Sequence, residues 1–466
     1  MGLAVVFRLL GLAIIGLGFA MALPLAAALA AEPARAGDYV FGMAFAIAGG
    51  GGRAAIGARP RESDLRGAIL TVLLWWVVAP VFAGAPFAIA GAAPVDAYFE
   101  AASALTTTGA WLSNDAAVAS PSGALWRATM QWLGGLVSLA VAAAIFVRPL
   151  FVGIDTLLPP FARGERESDL RAVVAAIRSF SVVYAVATVV CWFTLAFAGS
   201  SPFAALIAAM SVVASGGFVA NADGAAGLAP ETATALAPFV FLSGANFILL
   251  SRILTGRRRR LQDAETGAYA MIVLGLAVAL CAFAAPTVGT LIAEAPAQVF
   301  NAASLMSTNG LILGTPPPLA LALVAVIIGG SAVSTAGGLK ILRWLVIFRR
   351  AREEVRRLVS PNAAFGRASV VNELGVWMHF LMLTVTIGVL TLILTGGGYS
   401  FELAASAAVA LLANAGPVLA LAEGGADGYG AFEHPILRFA MVIGMILGRL
   451  EAVTALALLN RSFWRS

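Results

Sequence analysis

Long apolar runs recur along this 466-residue chain, and clusters of arginine separate them. About 20 apolar residues are what a helix needs to cross a hydrocarbon core of about 30 Å. Runs of this kind permit few folds, because in lipid each backbone N–H and C=O must find its partner inside the protein. Composition points the same way. Apolar residues make up 61% of the chain and charged residues only 11%, against about 25% charged in an ordinary soluble domain. The 29 Lys and Arg with 24 Asp and Glu are too few to coat a soluble surface of this size. A soluble globular enzyme and a disordered chain are both excluded. What remains is an all-α polytopic membrane protein with about ten transmembrane helices.

Several chemistries drop out by absence. The two cysteines, Cys191 and Cys281, both lie in apolar runs and read as packing residues, with no disulfide framework or metal site. His379 and His434 stand too far apart to form a ligand set. The sequence holds no GxxxxGK[ST] loop and no clean GxGxxG, so any nucleotide control has to come from another chain. No cofactor is expected. Arg8 is followed by an apolar run to Ala31, longer than a signal-peptide core, which reads as a retained first span.

The positive charges set the orientation. Clusters fall at Arg53–Arg66, Arg148–Arg178, Arg252–Arg260, Lys340–Arg367 and Arg461–Arg465, and together they hold 24 of the 29 basic residues. The positive-inside rule makes these loops cytoplasmic. Segments 32–38, 111–125, 219–232, 311–317 and 418–437 are poor in Lys and Arg and should face outward. The expected spans are 4–31, 38–57, 66–90, 122–148, 168–198, 233–254, 267–293, 318–350, 370–395 and 433–460, with both termini cytoplasmic. The clusters alternate with apolar segments and form no single face, which argues against nucleic acid. Anionic membrane lipids are the simpler partner, and the run 341–367 also offers a docking site for a cytoplasmic protein.

A repeat lies within the outward connections. After spans 66–90, 168–198, 267–293 and 370–395 comes an apolar stretch of ten to twelve residues, too short to cross. Each ends in a small, glycine-containing motif. The four are Thr106-Thr107-Thr108-Gly109, Ala214-Ser215-Gly216-Gly217, Ser307-Thr308-Asn309-Gly310 and Ala413-Asn414-Ala415-Gly416. Their last glycines stand 108, 93 and 106 residues apart. Six residues before the first three glycines is a serine, Ser103, Ser211 or Ser304, and the fourth position is Ala410. A period near 100 residues divides the chain into a two-span extension, 1–60, and four units, 61–155, 156–260, 261–367 and 368–466.

Four copies entering from one side can surround one axis. Irregular backbone at membrane depth is tolerated only where protein or water satisfies it. Glycine lets carbonyls turn inward, and a ring of carbonyls can replace the water shell of a small cation. The short helices would aim their C-terminal ends, each about half a negative charge, at that axis. No acidic side chain occurs in the four motifs, so selectivity would rest on backbone dipoles and on the hydroxyls of Thr106, Thr107 and Thr108. The competing reading is that these glycines only allow close helix packing, and their matched positions weigh against it.

These residues resemble the Trk/Ktr/HKT superfamily of potassium transporters, most closely the TrkH-type membrane subunit, over the whole chain. The resemblance is carried by TTTGA at 106–110, SGGF at 215–218, NAGP at 414–417, GGSAVSTAGGLK at 329–340 and GRLE at 448–451. It implies four tandem units like channel subunits, K+ as the transported ion at the four filter motifs, and two extra N-terminal spans. It also implies a homodimer with one pore per protomer, docked to a TrkA-like cytoplasmic ring of nucleotide-binding subunits in a bacterial cytoplasmic membrane. Two departures bear on the choice between K+ and Na+. The third motif carries Asn309 where the family is usually Thr-rich, and Ala410 replaces serine. All four filter glycines are kept, which in this family favours K+.

The same resemblance implies a gate in the third unit. Gly329, Gly330, Gly337 and Gly338 interrupt an apolar run, and each glycine costs a helix roughly 0.8–1 kcal/mol. Ser331, Ser334 and Thr335 compete locally for backbone hydrogen bonds. An intramembrane break is expected below the filter, tied through Lys340 and Arg343 to the basic helix that follows. A helix-packing face is the alternative. Arg449 lies within the last apolar span, where an arginine costs at least about 2.5 kcal/mol. It should face the pore or pair with Glu451 or with loop oxygens, as a gate element and electrostatic barrier, unless it snorkels to the membrane surface.

Two other classes stay in view. An ion-coupled secondary transporter (Na+ or H+ symport) or a low-selectivity Na+/K+ pathway would use the same pore, though parallel repeats fit a broken-helix transporter poorly. An intramembrane enzyme would need a convergent titratable cluster, and the apolar spans contain none.

Overall fold

The computed structural model describes residues 3–56, 65–112, 120–143, 169–219, 228–254, 264–285, 287–359 and 370–450. All four expected unit boundaries, and much of the basic clusters beyond residues 56, 143, 254, 359 and 450, lie outside the described residues. Helices α1 (Leu3–Ala20) and α2 (Ala22–Ala31) form one nearly continuous apolar stretch, and α3 (Ala36–Ile56) packs back along α1. Small residues set that approach. A Cβ on Gly11 would meet Gly50 O and Ala54 N at 2.5 and 2.6 Å. Then come α4 (Leu65–Ala83), α5 (Ala85–Ile89), α6 (Pro94–Leu105), α7 (Pro121–Val141), α8 (Asp169–Phe197), α9 (Pro202–Val213), α10 (Pro230–Gly244) and α11 (Phe247–Leu254). The chain continues through α12 (Ala264–Ala284), α13 (Val288–Met306), α14 (Leu319–Ile328), α15 (Ile341–Val359), α16 (Val370–Gly396), α17 (Phe401–Leu412) and α18 (Pro435–Leu450). Among the described residues, extended pairing is limited to a single bridge between Leu112 and Gly428.

Local chemistry explains where helices start. Ser120, Ser201 and Ser400 accept from Gly123 N, Ala204 N and Leu403 N at 3.0, 3.2 and 3.3 Å, capping α7, α9 and α17. Pro94, Pro121, Pro202 and Pro230 open their helices at a position whose N–H has no helical partner.

Five stretches among the described residues are long and apolar enough to cross a membrane: 4–31, 70–89, 176–197, 264–284 and 375–396. Helices α10 and α11 pass the same test only when taken together, with a bend of 110° between them. Within the expected span 233–254 the structure has two helices that part at Gly244. Helix α7 carries Arg127 and Gln131, and most of it is buried inside the protein. A correction concerns the third short stretch. Helices α6, α9 and α17 have 12 residues each, as the spacing predicts, but α13 has 19. Thr287 caps it in a reciprocal pair with Thr290, so the preceding span ends at Ala284 and not at residue 293.

Large apolar side chains cover much of the outside, and hydroxyls are buried within. Phe197, Met271, Leu392 and Phe401 are exposed at 88, 75, 73 and 73%, while Thr106, Thr107, Thr108, Ser307 and Asn309 are fully buried. Apolar side chains on the outside and hydroxyls at the centre suit a lipid solvent around a polar axis.

Candidate ion site and intramembrane gate

Helices α6, α9, α13 and α17 all end in the same turn. Thr107, Ser215, Thr308 and Asn414 have φ of 56, 58, 58 and 51°, in the left-handed region. Their amides donate to Ala104, Val212, Leu305 and Leu411 O at 3.0, 2.9, 3.0 and 3.2 Å. The next amides, of Thr108, Gly216, Asn309 and Ala415, donate to Ser103, Ser211, Ser304 and Ala410 O at 2.9, 2.8, 2.9 and 2.7 Å. Glycine usually makes this helix-closing turn. An L-residue there costs roughly 1–2 kcal/mol, and a β-branched threonine is a true outlier. The same strained turn thus recurs at four matched positions.

The serine seen in the sequence contributes its backbone carbonyl, which Ala410 supplies equally well. Serine hydroxyls add local support: Ser103 Oγ donates to Ala110 O and Ser211 Oγ accepts from Phe218 N, both at 2.7 Å. Gly109, Gly217 and Gly310 are left-handed at φ 70, 64 and 69°. Gly416 is not; it opens the tight turn Gly416–Leu421.

The four motifs touch in chain order and close on themselves. A Cβ on Gly109 would strike Gly216 O, and one on Gly217 would strike Asn309 O. A Cβ on Gly310 would reach Pro417 and Val418 at 3.1 and 3.2 Å. Gly416 N donates to Thr108 O at 2.6 Å, which joins the fourth segment to the first. Side chains brace the ring from behind. Gln131 Nε2 donates to Gly216 O at 3.0 Å, and Asn414 Nδ2 to Thr108 Oγ1 and Met445 O at 2.9 and 3.0 Å. Thr106 and Thr108 share a hydroxyl bond of 2.7 Å. In the third segment Asn309 Nδ2 donates to Ser307 Oγ at 2.8 Å and to Ser243 Oγ at 2.9 Å. Asn309 thus takes the bracing role of Thr108, and its amide donor is engaged away from the neighbouring motifs.

Residues 329–340 separate α14 from α15 and lie against three of the motifs. Gly329, Gly338 and Lys340 are left-handed at φ 72, 74 and 74°. Thr335 Oγ1 lies 2.7 Å from Ser215 Oγ and 3.0 Å from both Val213 O and Ser243 O. Gly337 N donates to Thr308 Oγ1 at 2.7 Å, and a Cβ on Gly337 would strike Ala413 O. Within the loop, Ser334 Oγ donates to Ser331 O at 2.6 Å, Ile341 N to Gly330 O at 2.9 Å, and Lys340 Nζ to Ala336 O.

The break between α10 and α11 frees backbone groups that the loop takes up. Ser331 N donates to Gly244 O at 2.9 Å, and Phe247 N to Val333 O at 2.8 Å. Two interrupted helices thereby satisfy each other's backbone groups. The buried Glu265 accepts from Ala332 N at 2.5 Å. Arg449 Nε donates to Ser138 Oγ at 2.5 Å and Nη1 to Thr335 O at 2.9 Å. Of the two partners that the sequence offered, Arg449 uses the loop oxygen; Glu451 lies outside the described residues.

Sequence reasoning missed the supporting residues Gln131, Ser138, Ser243, Glu265 and Pro417. It also missed a buried ion pair behind the first motif. Glu100 Oε2 lies 2.9 Å from Arg127 Nη2, Glu100 Oε1 accepts from Leu112 N at 2.7 Å, and Arg127 sits 5.4 Å from the Phe218 ring centre. Nearby, Arg438 pairs with Asp96 and donates to Phe432 O at 2.8 Å. Beside the expected outward loop 311–317, hydrogen bonds from Gln298 and then Thr315 hold the Glu294 carboxyl below the usual carboxylate range. A charged residue in a long apolar context was the available signal for Glu100 and Arg127. Among the described residues no three His, Cys, Asp or Glu gather as a metal site.

Residues 64–270 match the TrkH family profile, described as a cation transport protein. The chain is 31% identical over 427 residues to the Trk system potassium uptake protein TrkH of Halomonas elongata, with 87% of each chain covered. It is 29% identical over 425 residues to TrkH of Salmonella typhimurium, again covering 87% of each. The crystal structure of the potassium transporter TrkH from Vibrio parahaemolyticus superposes over 100% of both chains with a TM-score of 0.85 at 26% identity.

Proposed function

The chain belongs to the TrkH family of cation transport proteins, and from that premise we propose that it takes up K+ across the bacterial cytoplasmic membrane. As a member of a transport family it is not an enzyme. The observation that carries the reading is the closed order of contacts from Gly109 to Gly216, Gly217 to Asn309, Gly310 to Pro417 and Gly416 to Thr108. Ten spans, four parallel units around one pore, and both termini in the cytoplasm complete the proposed architecture.

In this reading K+ loses its water to peptide oxygens of residues 106–109, 214–217, 307–310 and 413–416. Each carbonyl has two lone pairs, so one that already accepts a hydrogen bond can still coordinate. The C-terminal ends of α6, α9, α13 and α17 favour a cation over an anion. The loop 329–340 with Arg449 forms the gate. Arg449 places a positive charge against the ion path, and its bond to Thr335 O holds the loop closed. The basic helix α15 leads from the loop to a nucleotide-binding regulatory ring, and two protomers each carry their own pore.

Growth of a K+-uptake-deficient cell at limiting K+ tests the reading. Wild-type chain should rescue growth and Gly310→Ser should not. Equal rescue by the two would remove the third segment from the filter. In liposomes, downhill K+ flux without a co-substrate is expected; strict need for a Na+ or H+ gradient would move the assignment to a symporter.

A further inference from the structure

We propose that Ser215 and Thr308 are positioning residues whose hydroxyls lock the loop 329–340 to the ring, so that K+ in the ring and closure of the loop stabilise each other. The proposal rests on the filter reading above and extends it from backbone to side chains.

The argument starts from the left-handed position in each motif. At three of them the side chain is engaged. Ser215 Oγ meets Thr335 Oγ1 and Thr308 Oγ1 accepts from Gly337 N, each at 2.7 Å. Asn414 turns aside to Thr108 Oγ1 and Met445 O. At the first, Thr107 Oγ1 is buried and has no partner among the described residues. The loop therefore grips the second and third motifs through hydroxyls, and these are adjacent in the ring.

Both gripping residues are strained, so each stays left-handed only while its surroundings hold it. On one side that hold is the end of its own helix; on the other it is the loop. Thr335 joins the two restraints, since its hydroxyl faces Ser215 and its carbonyl accepts from Arg449. An ion that fixes the ring oxygens fixes the backbone carrying Ser215 and Thr308, and with it the loop's anchors. Linkage makes the effect reciprocal: whatever K+ does to the loop, closing the loop does to K+ affinity.

The test uses the full chain with Cys191→Ala and Cys281→Ala, and a reporter thiol at Ala332→Cys, a half-buried loop position. The rate of maleimide labelling is measured in detergent with K+ and with no alkali ion. K+ should slow labelling of the reporter chain. Ser215→Ala and Thr308→Val should each label about two- to tenfold faster in K+, the change that one neutral hydrogen bond carries, and should lose the response to K+. Thr308→Ser keeps the hydroxyl and should restore it, which separates the latch from misfolding. If both variants respond to K+ as fully as the parent, the latch is overturned and the filter stands. If K+ leaves the parent unaffected while Gly310→Ser still abolishes uptake, the latch alone falls. If K+ leaves the parent unaffected and Gly310→Ser transports normally, latch and filter fall together.

Discussion

One methyl group at position 217 should close the pore while leaving the fold intact. Gly217 has φ 64°, where an alanine costs roughly 1–2 kcal/mol. The added Cβ would also fall inside the van der Waals shell of Asn309 O, with Pro417 Cγ 3.0 Å away on another side. Asn309 O is backbone, so relief requires the third segment to shift, and overpacking of this kind costs about 1–3 kcal/mol. The two terms sum to about 2–5 kcal/mol, which at 1.36 kcal/mol per decade is at least about thirtyfold fewer correctly formed rings. A domain stabilised by about 5–15 kcal/mol still folds at the lower end of that cost. Gly16 and Gly275 give the control. They lie within α1 and α12, and a Cβ on either meets nothing within 4 Å. Alanine there should raise helix stability by about 0.8–1 kcal/mol and leave transport alone. The assay is K+ flux into proteoliposomes at matched protein content, with competition by Na+ and a melting temperature for each variant. Gly217→Ala with near wild-type flux and selectivity would refute the reasoning, because the ring would then tolerate a shifted third segment.

Arg449→Ala removes the bonds to Ser138 Oγ and Thr335 O; K+ flux should rise or selectivity fall, and unchanged flux at normal protein levels would count against a gate. Glu100→Ala leaves Arg127 buried without its carboxylate, which should cost about 3–5 kcal/mol and appear as a lower melting temperature; replacing both residues by methionine should recover most of that loss, and a double variant as unstable as the single would show that the pair is not what matters.

The all-α membrane fold class was legible because it follows from hydropathy. Gly109, Gly217, Gly310 and Gly416 could be aligned by position alone. The strained residue two places before each glycine could not. Thr107, Ser215, Thr308 and Asn414 share no side-chain class beyond being polar, and threonine in a left-handed turn runs against its own preference. The length of α13 was hidden for a different reason. Apolar residues run through 267–293 with little interruption, and the true boundary is a threonine cap that hydropathy does not register. The 110° bend after Gly244 is carried by three small residues, Gly244-Ala245-Asn246, whose meaning emerges only once the loop's Ser331 and Val333 are seen to take up the freed backbone groups. Glu265 belongs to the same case, because its role depends on a loop 67 residues further on.

The fourth motif shows why sequence repeats and structural repeats differ. Its backbone turn matches the others, with Ala415 N bonded to Ala410 O as Thr108 N is to Ser103 O, so serine is not what the turn requires. Its glycine does not match, because Gly416 leaves the left-handed region and enters a tight turn led by Pro417. The proline ring then lies 3.4, 3.0 and 3.1 Å from where a Cβ would stand on Gly109, Gly217 and Gly310. A single residue of the fourth segment therefore crowds the Cβ positions of Gly217 and Gly310 and reaches that of Gly109 at ordinary van der Waals distance. Gly217 and Gly310 are needed twice over, once for their φ and once for the space that Pro417 occupies.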